Sequence, residues 1–267
     1  MDEAPLSSVE LLPEDEAVRV IPEGCLICVQ DLHTRLGNRK ILNGMDFVVK
    51  EGETFVIMGG SGGGKSVTLK HIIGVFKPDR GRVIVDGKSV GDLDRVSLMD
   101  LRKEMGYLFQ SGALINWLTV FENVALPLRE HTKLRESEIR DRVHEVVSVV
   151  EMEHALDQFP DSISGGMKKR AGLARALVTK PKIVLYDEPN AGLDPVMSET
   201  INRLIVDVQN KLGVTSVVVT HRRACAFTVA DRIAVIERGR IVDQGTQAEM
   251  RRSEHPLTKK FLSPDVD

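Results

Sequence analysis

Three cysteines in 267 residues are too few for a disulfide framework, and a reducing compartment fits them. Long apolar runs are also missing. Thr54–Met58 and Ser216–Thr220 are the length of core strands, against roughly 20 residues for a membrane span. The first residues lack a basic segment followed by an apolar stretch, so no secretory signal is expected. Charge of one sign is not in excess either: 36 Lys and Arg face 39 Asp and Glu, for a net charge of -3. That balance argues against the basic face that nucleic-acid binding needs. A cytosolic protein is expected, and any membrane it serves must be reached through a partner.

One cysteine pair invites a metal or redox reading, because Cys25 and Cys28 stand in C-x-x-C spacing. No second such pair exists, and Cys25–Val29 reads as a strand. On a regular strand, residues three apart face opposite sides, which is wrong for chelation. An ordinary packed strand is the expectation.

What the chain does have is alternation. Residues 1–22 are acidic, carry Pro5, Pro13 and Pro22, and read as a poorly ordered leader. From Cys25 onward short apolar strands alternate with amphipathic helices. Strands are predicted at 54–58, 82–85, 105–109, 183–186, 215–219 and 233–237. Helical spacing of apolar residues runs through Leu69, Ile72, Ile73 and Phe76. It recurs in Ile139, Val143, Val146, Val147 and Val150, and in Ile201, Leu204, Ile205, Val208 and Leu212. Continuous apolar strands between helices mean an α/β fold with a largely parallel sheet covered on both faces. From Gly112 to about 162 the strand pattern stops, and a helical insert in the α/β core is expected. One domain over 23–245 and a tail over 246–267 complete the division; the tail reads as a partner-binding helix or a frayed end.

The chemistry starts at residue 59. Gly59-Gly60-Ser61-Gly62-Gly63-Gly64-Lys65-Ser66 fits G-x-x-x-x-G-K-[ST], with the strand Phe55–Met58 before it and a helix after it. Glycines let such a loop aim successive backbone N–H groups at phosphate oxygens, and the helix N-terminus adds its positive end. The expected cradle runs from Gly59 through Val67. Lys65 would reach the outer phosphates and the Ser66 hydroxyl would hold Mg2+. The cofactors expected are therefore ATP and Mg2+. Ile183–Tyr186 leads into Asp187-Glu188, two adjacent acids at a strand end. Asp187 is placed to hold the metal opposite Ser66, and Glu188 to polarise a water for in-line attack. The pair, beside a phosphate loop, points to hydrolysis rather than transfer.

Further motifs fall in order behind these. Ser164-Gly165-Gly166-Met167 opens a helix with an apolar face of Met167, Ala171, Ala174 and Val178, decorated by Lys168, Lys169, Arg170 and Arg175. Ser164 precedes Asp187 by 23 residues. The arrangement resembles ABC-transporter ATPases, whose signature is this Ser-Gly-Gly helix start. Asn190–Pro195, with Asp194, resembles their D-loop, His221 their switch histidine, and Gln110 the Q-loop glutamine that also touches the metal. The resemblance implies a RecA-like P-loop core, an N-terminal antiparallel β subdomain and an inserted helical subdomain. It implies Glu188, His221 and Lys65 in catalysis, and Ser66, Gln110 and Asp187 at Mg2+. It also implies a homodimer, in which Ser164, Gly165 and Gly166 of one subunit close over the γ-phosphate of the other.

Leu108–Ile115, Val120–Leu134 and the methionine at 167 are similar to the Mla-type ATPases of MCE lipid-transport systems. That resemblance implies phospholipid movement between inner and outer membranes, with the ATPase peripheral on the cytoplasmic face of the inner membrane. Its partners would be an MlaE-type membrane permease, an MCE-domain (MlaD-like) protein and a STAS-domain (MlaB-like) subunit. The stretch after Gln110 falls where such ATPases receive the permease; Trp117 and Phe121 either line that groove or pack the helical insert. An amino acid or metal importer is the rival cargo. A non-transport ABC protein acting on nucleic acid or ribosomes is the rival from another class, and neither paired cassettes nor basic arms support it.

Two positions depart from the family pattern. ABC ATPases stack an aromatic ring on adenine, whereas His33-Thr34-Arg35-Leu36-Gly37 offers none; Arg35 or His33 is the expected substitute. Arg222 follows His221 where an acid is common.

Overall fold

The computed structural model describes residues 22–262. The leader expected over 1–22 lies outside the described residues apart from Pro22. Two sheets organise the chain. The first is antiparallel and joins β1 (Cys25–Leu36), β2 (Arg39–Lys50), β4 (Arg80–Val85) and the short β5 (Lys88–Ser89), in the order β2-β1-β4-β5. β4 starts at Arg80, two residues before the sequence pattern, because the partner strand β1 pairs His33 with Arg80.

The second sheet carries the chemistry. Its strands are β3 (Thr54–Met58), β6 (Met105–Leu108), β7 (Ile183–Asp187), β8 (Thr215–Thr220), β9 (Arg232–Glu237) and β10 (Arg240–Thr246), in the order β10-β9-β3-β8-β7-β6. All pairings are parallel except β9 with β10. Every residue of β3, β7 and β8 is buried, as a doubly covered sheet requires. Alternate residues serve two cores. Val56, Val184, Tyr186 and Val218 meet one side, while Phe55, Ile57, Leu185 and Val219 meet the side shared with the antiparallel sheet.

Helices fill the connections. α1 (Lys65–Ile72) follows β3, and α2 (Arg95–Lys103) precedes β6. From 109 to 182 the chain is helix and loop. α3 (Val120–His131) starts with a Thr119–Glu122 capping box, α4 (Glu136–Val149) follows, and α5 (Gly165–Leu177) returns to β7. α6 (Pro195–Leu212) is capped by Asp194 and ended by Gly213 at φ 64°, and α7 (Arg223–Val229) links β8 to β9. In the tail, α8 (Gln247–Arg252) and α9 (Pro256–Leu262) are tied to β10 by Asp243, which accepts from Ser253 and, at 2.7 Å, from Thr258. Among the described residues no helix is long and apolar enough to cross a membrane.

β6 shows how tightly α5 lies on the sheet. A Cβ on Gly106 would sit 2.3 Å from the Ala176 carbonyl oxygen. Gly106→Ala is expected to cost about 1–3 kcal/mol through overpacking. A calorimetric Tm equal to that of the wild type would contradict this packing.

The cysteine pair lies on β1, as the strand reading expects, with one local irregularity. Register shifts between Cys25 and Ile27, where the Cys25 thiol donates to the Ile27 carbonyl at 3.0 Å, while buried Cys28 accepts from Gln30 Nε2 at 3.4 Å. Burial pushes the Cys25 thiol up to about 11, the wrong direction for a metal thiolate. No cluster of three or more His, Cys, Asp or Glu arranged for a metal occurs among the described residues.

Candidate active site

The loop 59–64 is wedged between β2 and β9, and its glycines are required by contact as much as by conformation. A Cβ on Gly59 would lie 2.7 Å from the Ile236 carbonyl oxygen. Gly64, the N-cap of α1, has φ 100°, and its Cβ would lie 2.6 Å from Leu42 Cδ2. Lys65 is 6% exposed, with its ammonium folded back on the loop: Nζ donates to the carbonyls of Gly59 at 2.8 Å and Gly60 at 3.1 Å.

The two acids at the end of β7 come to the same place. Ser66 Oγ donates to Asp187 Oδ1 at 2.7 Å, and the Tyr107 hydroxyl donates to Oδ2 at 3.1 Å. Burial and the Asp187 charge push the Tyr107 phenol well above its ordinary pKa, so it stays a donor. Glu188 sits in the left-handed region at φ 48°, a conformation costing a non-glycine residue about 1–3 kcal/mol. Contacts on both side chain and backbone hold it there, among them an Ala191 N–H donating to its carbonyl at 3.0 Å. Oε1 lies 3.3 Å from Lys65 Nζ, and Oε2 accepts from His221 Nδ1 at 2.9 Å. Its N–H donates to the Val219 carbonyl at 2.9 Å, and its own carbonyl accepts from Lys169 at 3.2 Å.

A cavity of about 360 Å3 is lined by Ser61, Gly62, Gly63, Gly64, Lys65, Ser66, Val67, Gln110, Glu188 and His221, together with Arg39 and Ile41. Gly59, Gly60 and Asp187 adjoin it through their bonds to Lys65 and Ser66. Ser164, Gly165, Gly166 and Asp194 do not line it. Within this chain Ser164 and Asp194 are helix N-caps, accepting from Met167 N at 3.3 Å and Met197 N at 2.9 Å.

His33 and Arg35 lie elsewhere. They line a separate cavity of about 270 Å3, where His33 bonds to Asp31 at 2.9 Å and Arg35 N–H donates to Asp79. The residues beside the phosphate loop are Arg39 and Ile41 on β2, across the hairpin turn from the segment the sequence pointed to. An arginine and an isoleucine in a hairpin carry no motif, so only the fold could find them.

Three cations are bound in ways the sequence did not convey. Lys169 is 3% exposed rather than a surface decoration, and burial lowers its pKa to about 8 against the pull of Asp187 and Glu188. Arg175 donates to the carbonyls of Gly112 at 3.0 Å and Ala113 at 2.8 Å. Arg222 donates to Ser198 Oγ at 3.0 Å and to the Leu193 carbonyl at 3.3 Å, which ties the residue after His221 to the 190–194 turn. On the far side of β6 a groove of about 470 Å3 is lined by Tyr107, Phe109, Ile115, Leu126, Pro127 and Arg175. Trp117 is 80% exposed outside it, and Phe121 packs against the helical core.

Residues 42–191, which contain the loop, both acids and the Ser-Gly-Gly turn, match the ABC transporter family. The chain belongs to the ABC transporter ATP-binding family. As an ABC ATPase it is the kind of subunit that hydrolyses ATP for a transporter. It is 41% identical over 242 residues to the probable ribonucleotide transport ATP-binding protein mkl of Mycobacterium tuberculosis, covering 91% of this chain and 67% of that one. It is 37% identical over 242 residues to the intermembrane phospholipid transport system ATP-binding protein MlaF of Haemophilus influenzae, covering 91% of this chain and 92% of that one. Among solved structures it is similar to the dimeric ATP-binding cassette MJ0796 bound to ADP and Pi. The TM-score is 0.76 at 33% identity, over 82% of this chain and 98% of that one. The ABC ATPase therefore has the RecA-like core, antiparallel N-terminal sheet and helical segment that its motifs imply.

Proposed function

We propose that this ATPase powers phospholipid transport between the inner and outer membranes of a Gram-negative cell, as the nucleotide-hydrolysing half of an Mla-type complex. The observation that carries the proposal is the match to MlaF along 92% of that protein's length, over a region that includes the 108–115 and 120–134 stretches and Met167. The subunit works as a homodimer on an MlaE-type permease, peripheral to the cytoplasmic face, with an MlaD-like MCE protein and an MlaB-like STAS subunit. The groove under Phe109 and Ile115 is the docking place for the permease. The similarity to mkl favours a second reading, in which the cargo is a nucleotide. Affinity capture from detergent-solubilised native membranes, with mass spectrometry of proteins and lipids, separates the two. A permease with an MCE protein and phospholipid is the expected catch; a permease with another solute-binding protein would sink the lipid reading.

In the proposed cycle the loop amides and Lys65 take the phosphates, and Glu188 accepts a proton from the attacking water. His221 holds the Glu188 carboxylate in place, and the partner subunit's Ser-Gly-Gly turn completes the site. Ser66, Asp187 and Gln110 offer hydroxyl, carboxylate and amide oxygens, a donor set that suits a hard cation keeping some water. Mg2+ bound there would neutralise charge on the phosphate oxygens.

The base is proposed to rest against Arg39 and Ile41. Arg39→Ala is then expected to weaken ATP binding by about 3- to 30-fold, the range of a cation–π contact worth about 0.5–2 kcal/mol. Inorganic tripolyphosphate affinity is expected to hold constant. Equal losses for both ligands would place Arg39 on the phosphates instead.

A further inference from the structure

Lys169 is a buried cation that the proposed cycle does not use. Its ammonium donates to two backbone carbonyls, those of Gln110 and Glu188, the latter at 3.2 Å. Three elements therefore meet at one atom: helix α5, the loop after β6, and the end of β7. The carboxyl groups of Asp187 and Glu188 lie close enough to act on its charge. An unneeded buried lysine is replaced at little loss by an apolar residue of its length, so its burial calls for a use.

The surroundings show what the ammonium fixes. The loop after Gln110 lies against the backbone of α5: a Cβ on Gly112 would be 2.8 Å from the Lys168 carbonyl oxygen, and one on Gly172 would be 2.9 Å from the Gly112 carbonyl oxygen. Arg175, two turns along the same helix, holds Gly112 and Ala113. Lys169 extends this seam inward to Gln110 and across to Glu188. Glu188 has a left-handed backbone, which persists only where neighbours over-determine it. The bond from Lys169 to its carbonyl is one of those determinants, and it acts on the backbone rather than on the carboxylate. The residues at either end of the seam, Gln110 and Glu188, both line the phosphate-loop cavity.

We propose that Lys169 is a positioning residue for hydrolysis, a latch that fixes the backbones of Gln110 and Glu188 to the helix beginning at Ser164. The proposal rests on Glu188 as the general base. Gln110 and Glu188 then keep one spacing to each other and to the α5 helix start while nucleotide comes and goes, and movement of the 109–114 loop reaches Glu188 through one side chain.

The test uses the full-length subunit purified with its membrane partners. Lys169→Met keeps the chain length and removes the donors. It is expected to lower kcat by about 10- to 100-fold, the scale of misplacing a catalytic group by about an ångström. The ATP Kd is expected to stay within about threefold, since the loop amides, Lys65 and Ser66 are untouched. Hydrogen exchange is expected to quicken at residues 109–114 and 188–191 and to stay unchanged in β3 and β8. Lys169→Arg, which keeps two donors, is expected to recover the protection and most of the turnover; it also serves if the methionine variant folds poorly. Wild-type kcat in the methionine variant would overturn the latch. So would a fall in kcat without faster exchange at those two segments, or an arginine variant as slow as the methionine one. Glu188→Gln, run in parallel, keeps the two ideas apart. If it retains turnover, the base reading fails, whereas the exchange pattern still reports on the latch.

Discussion

Glu188→Gln is expected to lower ATP turnover by about 10²-fold or more while ATP binding is retained, because general-base contributions reach that size. The side chain is 11% exposed; Oε1 lies 3.3 Å from Lys65 Nζ, and Oε2 accepts from the His221 backbone N–H at 3.3 Å and from its Nδ1 at 2.9 Å. Glutamine keeps the shape, but its amide does not take a proton from water at neutral pH. Binding rests on other atoms. Loop residues 61–64 line the cavity, and Lys65 has to leave Glu188 to meet a phosphate. With the carboxylate gone, Lys65 loses a competing partner, so the variant is expected to hold ATP at least as tightly as the wild type. Steady-state phosphate release together with calorimetric titration of ATP gives both quantities. Turnover within about threefold of wild type would remove Glu188 from the base role, since a lost general base does not cost so little.

The Glu188 carboxylate that the pair Asp187-Glu188 suggests was legible because two adjacent acids at a buried strand end have few structural uses. The sheet was legible for a similar reason. Thr54–Met58 and Ile183–Asp187 are apolar on both faces, which only a doubly covered parallel strand tolerates. What stayed hidden was set by tertiary contacts with no sequence spacing. Lys169 reads as one of four basic residues on a polar helix stretch, yet the Gln110 loop folds over it and buries it. Tyr107 reads as a strand aromatic, and its hydroxyl reaches Asp187 only because β6 and β7 are neighbours. Arg39 is brought to the phosphate cavity by the β1–β2 hairpin, while the segment expected to hold the base turns toward Asp31 and Asp79. The C-x-x-C pair lies on strand β1 as its apolar pattern suggested, and only the shift of register at Cys25 was not legible.

Mixing two inactive variants is expected to restore hydrolysis. The phosphate cavity holds the loop, Gln110, Glu188 and His221 but neither Ser164, Gly165 nor Gly166, so within one chain the Ser-Gly-Gly turn has no nucleotide to meet. If the homodimer proposed above forms head to tail, each site combines Lys65 of one subunit with the Ser-Gly-Gly turn of the other. Gly165→Asp is a suitable block: a Cβ there meets only Leu193 Cδ2, at 3.9 Å, so the variant should fold. The added carboxylate would sit at the N-terminus of α5 and repel a γ-phosphate. Lys65→Ala removes the phosphate lysine. Each homodimer then carries two damaged sites. A mixed dimer carries one doubly damaged site and one wholly intact site. Turnover in the mixture is expected to exceed either variant alone by about 10-fold or more, taking loss of a positioned charge as worth at least that much. A mixture no more active than its components, with dimers confirmed by native mass spectrometry, would mean that each chain completes its own site, and the sharing of Ser164 across subunits would have to be abandoned.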